Sequence, residues 1–327
     1  MSTTTNPVDE LVLEFVDAAL EGEPERARRL GLDQADRTGP VATIEDLLTP
    51  ALRRAGELWL TTQLPSHGEH RVTGAVDAVL EGLMSRLPLA TTGPRVAVST
   101  GDDDWHGTAA RLAGVLLRAR GWRARFVGPA MTASRLDDLL RLDPVDVVAL
   151  SCASPSHLAG VGRTALAVHA RGLPVVVGGG VFDLHPVRAV RVGADAGPGT
   201  LPGSGEQLQS WLDDVLAGGL AVPPMAAHAA FELDAAQLLQ AVLDTLDQQG
   251  PLVARQLRED LVRTTVDTWI SAVAVDDVGL VREQLGWVRT YLLARSLPGT
   301  LVAQLAGALR SHVPIDLGGH LERTARG

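Results

Sequence analysis

The chain has 327 residues, 46% of them apolar and 21% charged, with a net charge of −10. That length fits two or three domains with full-sized cores, and the acidic balance argues against a general nucleic-acid binder, because phosphate backbones are met by basic faces. All 29 basic residues are arginine, so the chain can form no pyridoxal or retinal Schiff base and can supply no P-loop lysine. The single Cys152 excludes an internal disulfide framework and a cysteine-rich zinc or iron–sulfur site. The start, MSTTTNPVDE, is polar and acidic rather than signal-like. No run of about 18 apolar residues reads as a membrane span, so a cytoplasmic protein is expected.

Residues 1–90 read as a helical bundle. Asn6-Pro7 caps a first amphipathic helix, and a second covers Pro24 to about Leu32. Thr43 with Asp46 opens a third, ending near Leu60, and Ser66 with Glu69 has the spacing of a capping box for a fourth. Residues 91–220 alternate short apolar strands (RVAVST, RARFVG, VDVVALS, PVVVGGG) with helices, and ADAGPGT is a candidate fifth strand. That alternation means βαβ units and a parallel sheet, here a flavodoxin-like doubly wound fold. A Gly/Pro/Ala stretch, GGLAVPPMAAHAA, precedes four more helices, so residues 225–327 form a C-terminal all-helical domain. The fold class is α/β plus all-α.

Ligands of doubly wound sheets sit at the carboxyl ends of the strands. Those ends carry Asp104-Trp105-His106 after the first strand, Ser151-Cys152-Ala153-Ser154 after the third and Gly178-Gly179-Gly180 after the fourth. An Asp two residues before a His can orient the imidazole, the usual device behind a metal-ligating histidine. Small residues at neighbouring strand ends leave a slot for a long, flat ligand. Each piece alone has a plainer reading, as a polar helix start, a strand-end cap or a tight turn.

Together, in this order and after a helical bundle, these residues resemble the cobalamin (B12)-binding domain shared by methionine synthase, the base-off mutases and the CarH-type photoreceptors. The family's D-x-H-x-x-G is met by Asp104-Trp105-His106-Gly107-Thr108-Ala109, with Ala for the last Gly. Its S-x-L is met by Ser151-Cys152-Ala153, with Ala for Leu, and its GG by Gly178-Gly179. The resemblance implies that His106 is the lower axial cobalt ligand and Asp104 its partner. It also implies that Gly107 allows close approach of the corrin, and that Ser151, Gly178 and Gly179 lie along the displaced base of the cofactor.

In the bundle, Trp59 is followed after nine residues by Glu69-His70. The CarH-type proteins carry the same W-x9-E-H in a lid over the upper cobalt face, where Trp and Glu pack on the adenosyl group. The resemblance therefore implies adenosylcobalamin, with Trp59, Glu69 and His70 in the lid. Trp59 also suits the bundle core, and Glu69 a capping box. Leu60 stands where the CarH group has the histidine that captures cobalt after photolysis, and His67 or His70 are the available substitutes.

The three-part layout is similar to the photocobilins, photoreceptors that bind both B12 and biliverdin. That resemblance implies a light sensor with biliverdin bound non-covalently by the C-terminal helices, which carry Trp269, Trp287, Tyr291 and several arginines. It also implies a homo-oligomer. The acidic charge and the lack of a long apolar run argue against nucleic acid and membrane as partners. The sequence carries no kinase, cyclase or DNA-binding signature, so the signal is expected to pass to an unidentified protein or through self-association. The alternative function is a corrinoid methyl carrier of a methyltransferase system, and a non-enzymatic sensor is the expectation.

Overall fold

The computed structural model describes residues 7–61, 64, 66–183, 185–200, 204–221, 235–250 and 252–312. Helices α1 (Pro7–Leu20), α2 (Pro24–Thr43), α3 (Thr49–Leu60) and α4 (Ser66–Arg86) form the N-terminal bundle. Their shared core includes Phe15, Leu47, Leu48, Val76 and Leu80, and extends to Leu112 and Val115 of the helix that follows the first strand.

The second helix is longer than its pattern indicates. It runs past Leu32 to Gly39, where φ is 86°. That left-handed backbone suits glycine, and Pro40 restarts the helix with φ already set. Thr43 does not open a separate helix as expected. A π-helical turn, Ile44–Leu48, carries the chain directly into α3 and turns Ile44, Leu47 and Leu48 into the core. The Asn6 cap and most of the Gly/Pro/Ala stretch lie outside the described residues.

The sheet contains β1 (Arg95–Thr100), β2 (Arg123–Phe126), β3 (Val147–Ser151) and β4 (Val175–Gly178). All pair in parallel, in the order β2-β1-β3-β4. The candidate fifth strand is reduced to a single bridge from Val176 to Ala196. The crossovers are α5 (Gly107–Ala119), α6 (Ala133–Leu142) and α7 (Leu158–His169), the last entered through a 3-10 turn, Pro155–His157. Short helices α8 (Gly180–Asp183) and α9 (Val187–Arg191) follow β4, and then α10 (Gly205–Gly218).

Strand residues alternate between the two faces, as the period-2 pleat requires. Val96, Val98, Val147, Ala149 and Val176 pack with α5 and α10 residues. Ala97, Val148, Leu150, Val175 and Val177 face α6 and α7. Covering both faces is what makes the strands almost wholly apolar.

The remaining helices are α11 (Ala235–Gln248), α12 (Arg255–Ala274), α13 (Gly279–Ala294) and α14 (Thr300–His312). Their apolar residues, among them Val242, Val266, Ile270 and Leu305, continue the α6/α7 core without a break. Polar ties reinforce that contact. The buried Arg188 guanidinium donates to Asp277 at 2.7 Å, and Ser271 joins α12 to the 3-10 turn before α7.

Asp267 on α12 is set against the loop after β1. Burial pushes its carboxyl up to about 6 from the ordinary 3.8; Asp103 adds to the rise, and Arg263 and Arg163 oppose it. The folded state therefore holds a proton that the unfolded chain releases. That contribution is complete below about pH 4 and is lost as the pH rises through about 6. Asp267→Asn is expected to raise the melting temperature at pH 7–8 by about 2–4 °C and to give no gain at pH 4. Equal shifts at both pH values would contradict this assignment.

Candidate metal centre

The register of the sheet assembles the candidate residues. Thr100 is paired with Ser151 across β1 and β3, and Ser151 with Gly178 across β3 and β4. All three motif segments therefore leave the sheet at one edge, at the carboxyl ends of its central strands. The strand order reverses there, and open α/β sheets take their ligands at such a point.

The loop after β1 is tightly braced. The Thr100 hydroxyl donates to the Asp104 carbonyl and accepts from Ala130 N at 2.8 Å. Asp102 N donates to Thr164 Oγ1 at 2.9 Å, and Arg163 pairs with Asp102 at 2.9 Å and with Asp103 at 3.1 Å. Asp103 adopts a positive φ of 63° to make the turn. The product is a buried carboxylate. The Asp104 side chain is 2% exposed, and its Oδ1 accepts from both His106 N (3.0 Å) and His106 Nδ1 (2.9 Å).

That geometry fixes the imidazole. With Nδ1 turned to Asp104, Nε2 is left for a metal, and the ring is 75% exposed. The chemistry of the pair is mutual. Burial works against the Asp104 charge, but the hydrogen bond from His106 and the nearby imidazole of His157 outweigh it, holding the carboxyl below its ordinary value. The same hydrogen bond raises the His106 pKa against the effect of burial, with the charges of Asp104 and Glu69 adding to it.

His157, from the turn after β3, sits beside this pair. Its ring centroid is 5.4 Å from that of His106, and its Nε2 is 3.8 Å from Asp104 Oδ1. The ligand atoms of Asp104, His106 and His157 all lie within 4.8 Å of one another. Sequence reasoning did not single out His157. The signal was a histidine six residues beyond Ser151 at the same sheet edge, which becomes informative once β3 is paired beside β1.

The small residues of the motifs have physical reasons. Gly179 has φ 106°, and a Cβ there would meet the Cys152 carbonyl at 2.4 Å. A Cβ on Gly178 would meet nothing within 4 Å, so space is open at that strand end. On Gly107 it would lie 3.3 Å from the Phe126 ring. Ser151 is buried. Cys152 is fully buried, and burial pushes its thiol far up, which makes it a poor nucleophile.

The lid residues divide into two groups. Glu69 on α4 is half-buried and its charge acts on His106. Its carboxylate accepts from Thr73 at 2.8 Å and pairs with the exposed His70 at 3.0 Å. Two turns beyond Glu69 on α4, Asp77 accepts from Thr108 in the first turn of α5 at 3.3 Å, and its Oδ1 is buried without a hydrogen bond. Trp59 instead packs on α13. Its ring stacks on Trp287 with centroids 5.8 Å apart, and lies 5.5 Å from Tyr291. Arg295 caps this stack. It donates to the Trp59 and Leu60 carbonyls at 2.9 and 3.2 Å, and its guanidinium lies 3.7 Å from the Tyr291 ring centroid.

An exposed Nε2 on a carboxylate-anchored histidine, a sheet edge of small residues and an overlying helix together fit a corrin carried on a lower histidine. Residues 94–203 match the family model of the B12 binding domain, and residues 11–83 match a second family model of the same description. These matches support a cobalamin-binding protein.

Among curated proteins, the HTH-type transcriptional repressor CarA of Myxococcus xanthus is 32% identical over 165 residues, 49% of this chain and 54% of that protein. The chain thus spans about half the length of the curated relative it matches. Among solved structures, the monomethylamine corrinoid protein of Methanosarcina barkeri aligns with a TM-score of 0.50 at 14% identity. The alignment covers 63% of this chain and 99% of that one, and it shows the shared fold. A cobalamin-binding protein from Desulfitobacterium hafniense DCB-2 aligns at 18% identity over 62% of this chain and 98% of that one, with a TM-score of 0.32. No helix among the described residues is long and apolar enough to cross a membrane.

Arg295→Ala removes the cation that satisfies the last carbonyls of α3. Amide exchange over residues 55–61 is expected to accelerate about five- to tenfold, equivalent to the loss of roughly 1 kcal/mol of hydrogen bonding. Unchanged exchange there would show that the aromatic stack alone holds α3 to α13.

Proposed function

We propose that the chain is a light sensor that binds adenosylcobalamin in the base-off, His-on form. The observation that carries the cobalt assignment is the His106 ring, anchored through Nδ1 to buried Asp104 and exposed at Nε2. His106 would hold the metal from the sheet side. Asp104 fixes the tautomer and strengthens the imidazole as a donor. Ser151, Gly178 and Gly179 would lie along the displaced base, with open space beside Gly178, and Gly107 at the start of α5 would allow close approach of the corrin.

Bound adenosylcobalamin supplies a cobalt–carbon bond that visible light breaks. The lid's part is to cover the upper ligand and keep water away. Glu69 and His70 sit on the α4 turn whose charge reaches His106, and the Glu69 carboxylate can accept from ribose hydroxyls. Trp59 stands at the end of α3, stacked on Trp287 and Tyr291. A shift of the lid on loss of the upper ligand would be passed directly to α13 through that stack, and so to a partner protein or to self-association as a homo-oligomer.

Biliverdin as a second chromophore rests on the resemblance alone. Its attachment would be non-covalent, since Cys152 is buried within the sheet domain. Addition of biliverdin is expected to produce a far-red band, and its absence removes the bilin from this reading while leaving cobalamin in place.

The test is the absorption spectrum of protein loaded with adenosylcobalamin in the dark, before and after green light. A His-on, base-off spectrum that changes on illumination supports the proposal. A light-stable spectrum, together with methyl transfer from a partner protein, would favour the corrinoid methyl carrier. His106→Ala should give the spectrum of a cobalamin without a protein ligand, with binding weakened by about 10- to 100-fold; an unchanged spectrum would overturn the ligand assignment.

A further inference from the structure

At the amino ends of β1 and β2, the far end of the sheet from His106, the surface is concave. This cavity has a volume of about 670 Å³ and lies between the chain entering β1, the start of β2 and the first turns of α10. Sites for small ligands span roughly 300–1,000 Å³. Arg120 and Arg123 line it, and no acidic side chain does so among the described residues. The imbalance is local. The whole chain carries −10, whereas residues 105–136 contain six arginines and no Asp or Glu.

Both guanidiniums are available. Arg123, half-buried at the head of β2, makes no side-chain hydrogen bond or ion pair among the described residues. Asp146, the carboxylate that feels its charge, is already held through both oxygens by Arg95, at 2.9 and 3.0 Å. Arg120 meets only Glu45, at 3.8 Å and with both side chains exposed, and such a pair contributes little. The walls are firm. Gly205 N donates to the Arg120 carbonyl at 3.2 Å, and a Cβ on Gly205 would collide with the Gly121 carbonyl. The start of α10 is thus seated on the turn before β2, and its amino end adds partial positive charge. Trp122 beside it is fully buried, with an indole N–H that has no hydrogen-bond partner. Pro94 and Leu208 supply an apolar side.

We propose that this cavity binds a phosphorylated small molecule of about mononucleotide size, held through its phosphate by Arg120 and Arg123. Two guanidiniums match a phosphate dianion, which arginine takes in bidentate fashion. A concave surface lined by one sign of charge concentrates the field on such a ligand. Pro94 and Leu208 receive the organic part, because a bare phosphate fills only a small share of the volume. The inference stands whether or not the chain binds cobalamin, since no residue of the His106 site takes part.

The experiment titrates the 15N-labelled full chain with AMP, inorganic phosphate and adenosine at low ionic strength. The Gly121 and Gly205 amides and the Trp122 indole N–H are the reporters. AMP is expected to give saturable shifts, phosphate the same shifts at about 10-fold higher concentration, and adenosine none. Arg120→Gln and Arg123→Gln should each weaken AMP binding by about 10-fold or more, with melting temperature and cobalamin titration as in the wild type. No saturable shift with AMP would overturn the proposal, as would AMP binding that is undiminished in the double variant. Phosphate bound as tightly as AMP would mean an adventitious anion patch only. Adenosine bound as tightly as AMP would remove the role of the arginines.

Discussion

One buried charge organises this end of the molecule. The Asp104 carboxylate lies almost wholly out of water, where an unpaired charge would be strongly unfavourable. It is tolerated because His106 donates to it twice, from the backbone and from the ring. The arrangement works in both directions. The carboxylate gains the partner that burial demands, and the imidazole gains a fixed tautomer with its other nitrogen free. Everything that steadies the loop after β1 serves this pair, including the Thr100 hydroxyl, the Arg163 bridges and the positive φ at Asp103.

The pair sits where three structural layers converge. The sheet supplies the edge, the bundle supplies α4 with Glu69 and Asp77 close to the start of α5, and the C-terminal helices supply Ser271 and the α13 stack. Those helices are more than an appendage to the sheet. They share its apolar core on the α6/α7 face, and the nearly buried Arg188 pairs with Asp277 across the contact. Disturbance at the sheet edge therefore has a packed route outward, through the 3-10 turn to α12. Rigid, closely packed elements convey small shifts in this way because a dense core does not deform smoothly.

The parts of this picture legible in the sequence are those governed by local pattern. Apolar runs of four to six residues between amphipathic segments specify a parallel sheet buried on both faces, and the structure has that sheet. The D-x-H spacing implies a carboxylate reaching its neighbour two residues on, and Asp104 does so at 2.9 Å. Other features depend on tertiary context. ADAGPGT has the composition of a strand end but forms only one bridge. Thr43 has the form of a cap but lies inside a helix that the π turn carries onward, because burying Ile44, Leu47 and Leu48 outweighs a local stop signal. Trp59 could be read as a lid residue or as core, and its stack on Trp287 and Tyr291, more than 220 residues away in sequence, belongs to neither pattern. His157 was silent for the same reason. It becomes a neighbour of Asp104 only when β3 pairs beside β1.

The claim at the centre is that the nitrogen below the cobalt comes from His106. Electron paramagnetic resonance of bound cob(II)alamin reads that nitrogen directly, because its nuclear spin splits the cobalt lines. Protein labelled with 15N-histidine and loaded with unlabelled cofactor should change the axial splitting from triplets to doublets, and His106→Ala should abolish the change. Triplets that persist in the labelled protein would mean that the cofactor's own base still holds the metal, and the account of this site would be contradicted.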